Sequence, residues 1–399
     1  MPHSNNSVCL VDFRLTGHHP LYISHFAQAF QKLGYDVDIF CSDTKKCEEL
    51  LLKALPSLDL NGITFIHSDA AAKKQKRVLG CRSYFRLIKL EREIERQEKV
   101  KENNYALVFF AYLDDVVHID FILPYLIRAP FSKNFSGLLM NPGVRTLKDV
   151  SLLVSLLTTS LIERKNSAFS ELGLVVENVR SEVENKIGKK TVIYPDFCSH
   201  TRLSQIKSPL ENQLETEKKG RKVTCLLGSI SPHKSIDLML NCLKVSDPKE
   251  HFFLIAGKIN WHNFEGIQHD KLKEIILNPP ENLLIYDGWL DSEAEFDTLI
   301  QKSDLLFAYY RDFKKSSNVL TKGAFYRVPV IVSNKYLMGE RVRNYKLGYA
   351  LEEQEVVALY KQKNLEKFHY DEKLVEEFVY KNSVERLPEI FSDILTKEN

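Results

Sequence analysis

Paired cysteines and a strong net charge of either sign are both missing from this 399-residue sequence. The seven cysteines are scattered and none forms a C-x-x-C pair, so the sequence predicts neither a zinc site nor a disulfide framework. Such cysteine usage fits a reducing compartment. The formal net charge is only +2, which gives no overall field that would attract nucleic acid. We therefore expect no structural metal and no nucleic-acid partner.

Long apolar runs are also missing. No stretch of about 18 apolar residues occurs, so the sequence predicts no membrane-spanning helix. The first residues, MPHSNNSVCLVDF, lack a charged region followed by a long apolar run and are unlike a signal peptide. We therefore expect a cytoplasmic protein.

Short apolar runs alternate with longer, helically periodic segments along the whole sequence. This alternation is typical of a parallel sheet covered by helices on both faces. The chain is long for one hydrophobic core, and the alternation lapses over a polar stretch at 201–222. We predict an N-terminal doubly wound, Rossmann-like α/β domain (1–200), a linker (201–222) and a second such domain (223–380). An amphipathic helix in 381–399 is expected to pack back toward the first domain.

Ligands of such folds bind at the carboxyl ends of the strands, which directs attention to three loops. The first, RLTGHHPLY, follows an apolar run at residues 8–13. Gly17 permits a tight turn, and amides at the start of the next helix could hold an anion. His18 and His19 are candidates for binding an acceptor hydroxyl or moving a proton. The alternative is an ordinary strand–helix turn with exposed imidazoles.

The second loop lies in LLGSISPHKSIDLML and leads from a strand into an apolar-periodic helix. Gly228 lets a phosphate approach the backbone, and Lys234 supplies a cation for a diphosphate. Ser229 and Ser231 add hydroxyl donors. A lysine near a helix start is unfavourable unless an anion is bound there. The alternative is a solvated lysine at a turn.

The third loop lies in LLFAYYRDFKKSSNVLTKGAFY and joins a buried strand to a helix. Its serines and asparagine can cap a helix that begins near Val319, and their amides and hydroxyls can hold a phosphate. The alternative is a capped helix with exposed lysines. The candidate donor-binding residues are Ser316, Ser317, Asn318, Val319 and Lys322.

One more strand end, in FFAYLDDVVHIDF, brings acidic and imidazole groups to the same edge. Asp114, Asp115 and His118 are candidates for a base on the acceptor side, together with the two histidines of the first loop. The alternative is an acidic N-cap with a histidine in the first helical turn.

These segments together resemble the GT-B glycosyltransferases, most closely glycosyltransferase family 4. LLGSISPHKSIDLML is similar to the family's G-R-x-s-x-x-K-G before an apolar helix, and SSNVLTKGAFYRVPVIVS resembles its donor helix with the following G-x-P-V-I-A-S. The resemblance implies two Rossmann-like domains with a cleft between them. It also implies a nucleotide-sugar donor of UDP or GDP type, transfer with retention of anomeric configuration, and no metal requirement.

Several positions depart from the family pattern. Ser229 stands where the family carries arginine, and Lys314 and Lys322 stand at the positions of its two donor-binding glutamates. Because a lysine cannot accept a hydrogen bond from a hydroxyl, ribose binding by that route is absent. We predict that Lys322 reaches the diphosphate instead. A turn without the acidic pair also resembles a separate branch of bacterial GT-B transferases.

A glycine-containing corner, Asp287 to Trp289, occupies positions whose family counterparts lie near the base. Gly288 is therefore a candidate donor-binding residue. Trp289 could stack on a ring, but a single tryptophan at a sheet–loop corner is more often part of the core, and we expect a core position.

A segment rich in lysine and arginine covers residues 73–101. Phe85, Ile88 and Ile94 are spaced helically among arginines, which is the pattern of a basic amphipathic helix that can lie on an anionic membrane. The alternative is a solvated surface helix with Glu–Arg pairs. Peripheral contact with the inner face of a membrane is thus one prediction.

The function predicted from the sequence is that of a bacterial-type glycosyltransferase. It would transfer a sugar from a nucleotide diphosphate sugar to a glycan or lipid-linked acceptor in surface polysaccharide synthesis. Two alternatives stay open: a degenerate GT-B subunit or scaffold without catalysis, and a sugar-nucleotide epimerase. A nicotinamide dehydrogenase is disfavoured because no G-x-G-x-x-G follows a predicted strand.

Overall fold

A computed structural model describes most of the chain. The described residues are 7–15, 19–71, 82–113, 131–139, 169–174, 180–187, 191–196, 208–290, 292–361 and 368–396. The chain divides into two compact units. Unit 1 contains residues 1–195 and 383–399, and unit 2 contains residues 196–382.

Unit 1 is built on a seven-stranded parallel sheet with the strand order β3-β2-β1-β4-β5-β6-β7. This order places the carboxyl end of β1 near the middle of the sheet, where the order of connection reverses. The strands are β1 (Ser7–Val11), β2 (Asp36–Cys41), β3 (Ile63–His67), β4 (Leu107–Phe110), β5 (Phe135–Leu139), β6 (Phe169–Leu174) and β7 (Thr191–Ile193).

The described helices of unit 1 pack on this sheet. They are α1 (His19–Lys32), α2 (Thr44–Ala54), α3 (Arg82–Lys101), α4 (Arg180–Ile187) and the C-terminal helix, called α13 here (Leu387–Thr396). Phe391 of α13 stacks on Phe30 of α1, with ring centroids 4.0 Å apart, and both contact Phe109 of β4. The C-terminal helix therefore completes the aromatic core on one face of the sheet.

Unit 2 is built on a six-stranded parallel sheet with the order β10-β9-β8-β11-β12-β13. Alternate residues of a strand point to opposite faces. Cys225 and Leu227 of β8 accordingly belong to one apolar cluster and Leu226 to another. The strands are β8 (Lys222–Leu227), β9 (His251–Ala256), β10 (Leu283–Tyr286), β11 (Leu305–Phe307), β12 (Val330–Ser333) and β13 (Gly348–Leu351).

The helices of unit 2 cover both faces of its sheet. They are α5 (Pro209–Lys218), α6 (Ile236–Val245), α7 (Gly266–Leu277), α8 (Glu293–Gln301), α9 (Asn318–Tyr326), α10 (Tyr336–Tyr345), α11 (Glu353–Lys361) and α12 (Glu372–Lys381). The predicted fold class, two doubly wound parallel α/β domains, is confirmed by these two sheets.

Part of the stretch predicted as a linker is helical. Ser208 caps α5 by accepting a hydrogen bond from the Glu211 amide, and Pro209 stands at the helix start where it has no amide to leave unpaired. Leu210 and Leu214 are buried in the core of unit 2. The cap, the proline and two buried leucines one turn apart favour a helix in a stretch whose polar composition indicates a linker.

The basic helix α3 uses most of its apolar residues inside unit 1. Leu87, Leu90 and Ile94 are buried in the core, and Ile88 packs against it. Phe85 is 53% exposed. Within the described residues, no helix is both long and apolar enough to cross a membrane.

Candidate functional site

The loop after β8 makes a sharp turn at Gly228. This residue has φ +86°, a left-handed conformation that favours glycine. Its carbonyl also packs against Gly257, where a side chain would meet the Gly228 oxygen at 2.0 Å. The turn therefore brings bare backbone to the carboxyl edge of the sheet, at the place where the sequence predicts a phosphate.

Lys234 is buried directly behind this turn, with 9% of its surface exposed. Its Nζ donates to the Leu227 carbonyl at 2.6 Å and lies 5.4 Å from the centroid of the Tyr310 ring. A side chain on Gly228 would lie 3.1 Å from the same Nζ. Among the residues that the structure describes, no carboxylate forms an ion pair with Lys234. A buried ammonium without a counter-ion is costly, and an anionic ligand at Gly228 would supply one.

The other polar residues of this loop are held by local hydrogen bonds. Asn260 Nδ2 donates to Ser229 Oγ at 2.6 Å, and Ser231 Oγ lies 2.7 Å from His233 Nδ1. Partial burial lowers the pKa of His233, and the nearby cations Lys234 and Lys315 lower it further. The loop thus presents hydroxyls and positive charge together.

Arg311 ties the loops after β8 and β11 together. Its amide donates to the His233 carbonyl at 2.8 Å, while its guanidinium binds Asp237 and Glu353. These hydrogen bonds raise the pKa of Arg311 and lower that of Glu353. The arrangement is a fixed brace, because a bidentate guanidinium holds both carboxylates in a defined geometry.

The loop after β11 leads from Arg311 into α9. Ser317 is the N-cap residue but its side chain makes no capping bond, and Ser316 Oγ accepts a hydrogen bond of 2.5 Å from Arg341. Val319 is buried in the core, so only its backbone could serve a ligand. The first amides of α9 carry the positive end of the helix dipole. Asn318 is the first residue of the helix.

Two lysines of this region have different surroundings. Lys314 is exposed, and its Nζ lies 5.8 Å from the centroid of the Tyr336 ring. Lys322 is only 1% exposed. Its Nζ forms ion pairs with Asp297, which is fully buried, and with Glu293 Oε2 at 2.9 Å. In this structure the ammonium of Lys322 binds these two carboxylates. Contact between Lys322 and a diphosphate stays a prediction.

Gly288 follows β10 and leaves space for an aromatic ring. A side chain at this position would meet the Tyr286 ring at 2.7 Å. Asp287 accepts hydrogen bonds from the Ile259 amide and from Trp261 Nε1. Burial alone would raise the pKa of Asp287, but these bonds and Lys258 bring it below its ordinary value. The expectation that Trp289 belongs to the core is wrong, because its side chain is 71% exposed.

In unit 1, His19 forms a pair with a buried carboxylate. Its Nδ1 donates to Asp12 Oδ2 at 2.8 Å, and its ring stacks on Tyr112 with centroids 3.5 Å apart. Asp12 also accepts from the Arg14 amide. A carboxylate on Nδ1 fixes the tautomer and leaves Nε2 as the proton acceptor, which is the arrangement of a general base.

Sequence reasoning missed four residues of these clusters. Asp12 follows a buried strand at its carboxyl end, a position that could have identified it. No spacing in the sequence links Arg341 to Ser316, or Glu293 and Asp297 to Lys322, because those contacts join segments that are far apart in the sequence. The candidates Gly17, His18, Asp114, Asp115 and His118 lie outside the described residues. In the described part of the chain, no group of three or more His, Cys, Asp or Glu could hold a metal ion.

Comparisons with solved structures identify the architecture. Glycosyltransferase from Rickettsia africae is 14% identical with a TM-score of 0.68, and 99% of each chain is covered. Anabaena HepE in complex with UDP and glucose is 11% identical with a TM-score of 0.65, covering 98% of this chain and 100% of HepE. WaaG, a glycosyltransferase involved in lipopolysaccharide biosynthesis, is 12% identical with a TM-score of 0.60, covering 98% and 99%.

The sequence comparisons add nothing to this. No protein-family model and no curated protein matches the chain. At these low identities the structural likeness shows the fold alone. The two Rossmann-like units, with the turn at Gly228 and the helix start at Asn318 at the carboxyl edge of the second sheet, have the fold of the GT-B glycosyltransferases.

Proposed function

We propose that this protein is a glycosyltransferase that uses a nucleoside diphosphate sugar of UDP or GDP type. The observation that carries the proposal is Lys234, a buried ammonium behind a glycine turn with no carboxylate partner among the described residues. A diphosphate seated at Gly228 would neutralise it. HepE, which shares the fold, binds UDP and UDP-glucose in its crystals, and this favours UDP as the first nucleotide to test.

The proposed diphosphate site combines the two loops of unit 2. Gly228 and Ser231 offer backbone and hydroxyl groups from the loop after β8, and Lys234 offers the cation. The residues of the second loop are Ser316, Ser317, Asn318 and Val319, whose amides lie at or just before the first turn of α9. Trp289, exposed after β10, offers an aromatic face to the base.

The proposed reaction breaks the bond between the sugar C1 and the diphosphate oxygen, and the diphosphate leaves with the electron pair. A bond then forms between C1 and the acceptor oxygen. Fixed cations and helix amides stabilise the charge that develops on the leaving group. We propose that these groups act without a metal ion, so activity is expected to survive excess EDTA.

The acceptor hydroxyl must lose its proton during the transfer, and His19 is our candidate base. Asp12 orients its ring. We predict that His19→Gln lowers the turnover rate by about 10²–10⁴-fold and leaves nucleotide affinity unchanged. Initial rates with donor in excess, together with calorimetric binding of UDP, measure the two quantities. A variant with normal turnover would remove His19 from the mechanism.

The anomeric outcome separates two forms of the proposal. The family 4 resemblance implies retention, whereas a positioned base for the acceptor favours direct displacement with inversion. NMR of the product formed in the first minutes of reaction, read from the coupling constant at C1, decides between them.

We propose an anionic membrane surface as the place where a lipid-linked acceptor is met. The exposed residues Phe85, Lys89, Arg92, Arg96 and Lys99 recur every three or four positions along α3 and so form one stripe. A basic stripe with an aromatic residue at one end suits an anionic bilayer. We expect the wild type to co-sediment with vesicles that contain about 30% phosphatidylglycerol, an anionic lipid. It should weaken in the double variant Arg92→Gln/Arg96→Gln.

The test of the proposed function is calorimetric titration with UDP, GDP, CDP and ADP. Micromolar binding of one nucleotide, weakened at least about tenfold in Lys234→Met and kept in Lys244→Met, supports the proposal; Lys244 is an exposed lysine on α6. Absence of binding by all four would favour the scaffold alternative. Turnover of the nucleotide sugar to a second nucleotide sugar without any acceptor would favour an epimerase.

A further inference from the structure

Helix α8 places two carboxylates on the ammonium of Lys322. Asp297 and Glu293 are separated by one helical turn, and both accept from Lys322 Nζ. Two carboxylates thus share one ammonium. A pair of carboxylates is unusual beside a site proposed to bind a diphosphate.

The two carboxylates differ in what they have left to offer. Asp297 is fully buried, and its second oxygen accepts from the Tyr326 hydroxyl at 2.9 Å. Glu293 is 40% exposed, and the bond from Lys322 reaches only Oε2. A carboxylate has sites for about four hydrogen bonds. Glu293 is therefore the member of the cluster that can accept hydrogen bonds from a ligand.

The cluster is adjacent to the glycine turn. Phe296, on the same helix as Glu293, lies 5.2 Å by ring centroid from Lys322 Nζ. The same ring lies 3.8 Å from the place where a side chain on Gly228 would stand. One aromatic ring thus separates the proposed diphosphate site from the Lys322 cluster. Groups attached to the diphosphate are within reach of that cluster.

We propose that Glu293 binds vicinal hydroxyl groups of the donor nucleotide sugar, and that Lys322 is the positioning residue that holds it. The inference rests on the proposed function. A hydroxyl donates well to a carboxylate, whereas the ammonium of Lys322 can only donate. The hydroxyls belong either to the ribose or to the transferred sugar, and both sources have the same chemistry.

The experiment compares Glu293→Gln with the wild type in calorimetric titrations of UDP, 2′-deoxy-UDP, 3′-deoxy-UDP and UDP-glucose. GDP and its deoxy forms replace these ligands if GDP is the nucleotide that binds. The matched control is Glu295→Gln, which removes an acidic residue from the first turn of the same helix. Thermal unfolding of each variant shows whether it is folded at the temperature of the titration.

Two results would support the proposal. If ribose is the source, Glu293→Gln weakens UDP about tenfold and loses the preference for UDP over its deoxy forms. If the transferred sugar is the source, the variant binds UDP normally and UDP-glucose about tenfold more weakly. The control is expected to match the wild type in both comparisons.

Two other results would overturn it. Unchanged affinities and unchanged ratios in Glu293→Gln would reject the role of Glu293 while leaving the glycosyltransferase proposal intact. A wild type that binds no nucleotide would reject both. If Glu293→Gln does not fold, Glu293→Asp is tested instead. The shorter side chain keeps the negative charge but moves the carboxylate away from the ligand, so the same weakening of UDP or of UDP-glucose is expected.

Discussion

Unit 2 contains two buried lysines with opposite surroundings. Lys322 is 1% exposed and has two carboxylates on its ammonium. Lys234 is nearly as well buried, yet its described partners are a backbone carbonyl and an aromatic ring. The described counter-ions of Lys322 belong to the protein, whereas no described carboxylate pairs with Lys234, and we propose that a bound diphosphate does. Burial alone therefore does not mark a lysine as a candidate ligand-binding cation; burial without a carboxylate partner among the described residues does.

The difference predicts that the two lysines respond to mutation in opposite ways. Loss of Lys322 leaves a buried carboxylate without its partner and damages the fold. Loss of Lys234 removes a buried charge that has no carboxylate partner among the described residues, and by our proposal it weakens nucleotide binding. The two tryptophans, Trp261 and Trp289, both lie in unit 2, so tryptophan fluorescence follows the unfolding of that unit.

The largest effect is expected from Lys322→Met. Asp297 would stay buried without the ammonium of Lys322, and we predict a loss of about 3–5 kcal/mol in the free energy of unfolding. Urea titration followed by tryptophan fluorescence measures it. Lys314→Met is the control, because Lys314 is exposed, and it should change the same quantity by less than about 0.5 kcal/mol. Equal values for the two variants would contradict a structural ion pair.

A smaller effect, of a different kind, is expected from Lys234→Met. UDP affinity should fall by roughly 10–100-fold, which is the scale of one lost charged hydrogen bond or ion pair. The free energy of unfolding should stay the same or increase, since methionine fills the space without a buried charge. Calorimetry and the same urea titration give both numbers. A destabilised variant with normal UDP affinity would assign Lys234 a structural role.

The smallest effect concerns pH. The pKa of His233 is lowered by partial burial and by Lys234 and Lys315. A bound diphosphate would oppose this shift, so the complex would hold more protons than the free protein near the ordinary pKa of about 6.5. UDP affinity should therefore increase as pH falls from 7.5 to 6, by up to about tenfold, according to the scale of one pKa unit.

His233→Gln provides the control for this pH dependence. Any part of the dependence that comes from protonation of the nucleotide itself remains in the variant, and the difference between the two proteins belongs to His233. If UDP affinity depends on pH identically in the wild type and in His233→Gln, the bound nucleotide does not change the pKa of His233.

The two lysines differ in how far local sequence order describes their surroundings. Lys234 was singled out because it follows a strand, a glycine and two serines, and the structure keeps this local order around the turn at Gly228. The partners of Lys322 come from α8, whose position depends on the whole sheet. Asp12 was overlooked for a milder reason: it stands at the end of an apolar run and was treated as part of the strand.

The fold itself was predictable because alternating strands and helices repeat throughout the chain, and the parallel sheets follow from that alternation. The helix at Pro209–Lys218 was not predicted, because most of its residues are polar and only Leu210 and Leu214 are buried in the apolar core. The exposed position of Trp289 was also missed, because the residue type alone favours a core position.

Hydrogen–deuterium exchange with and without UDP tests the central claim most directly. At a UDP concentration near the dissociation constant of the wild type, we predict slower exchange in residues 228–235 and 316–322 of unit 2, no change in residues 7–15 of unit 1, and strongly reduced protection in Lys234→Met. Protection confined to unit 1, or undiminished protection in Lys234→Met, would contradict the assignment of Lys234 as the cation that awaits the diphosphate.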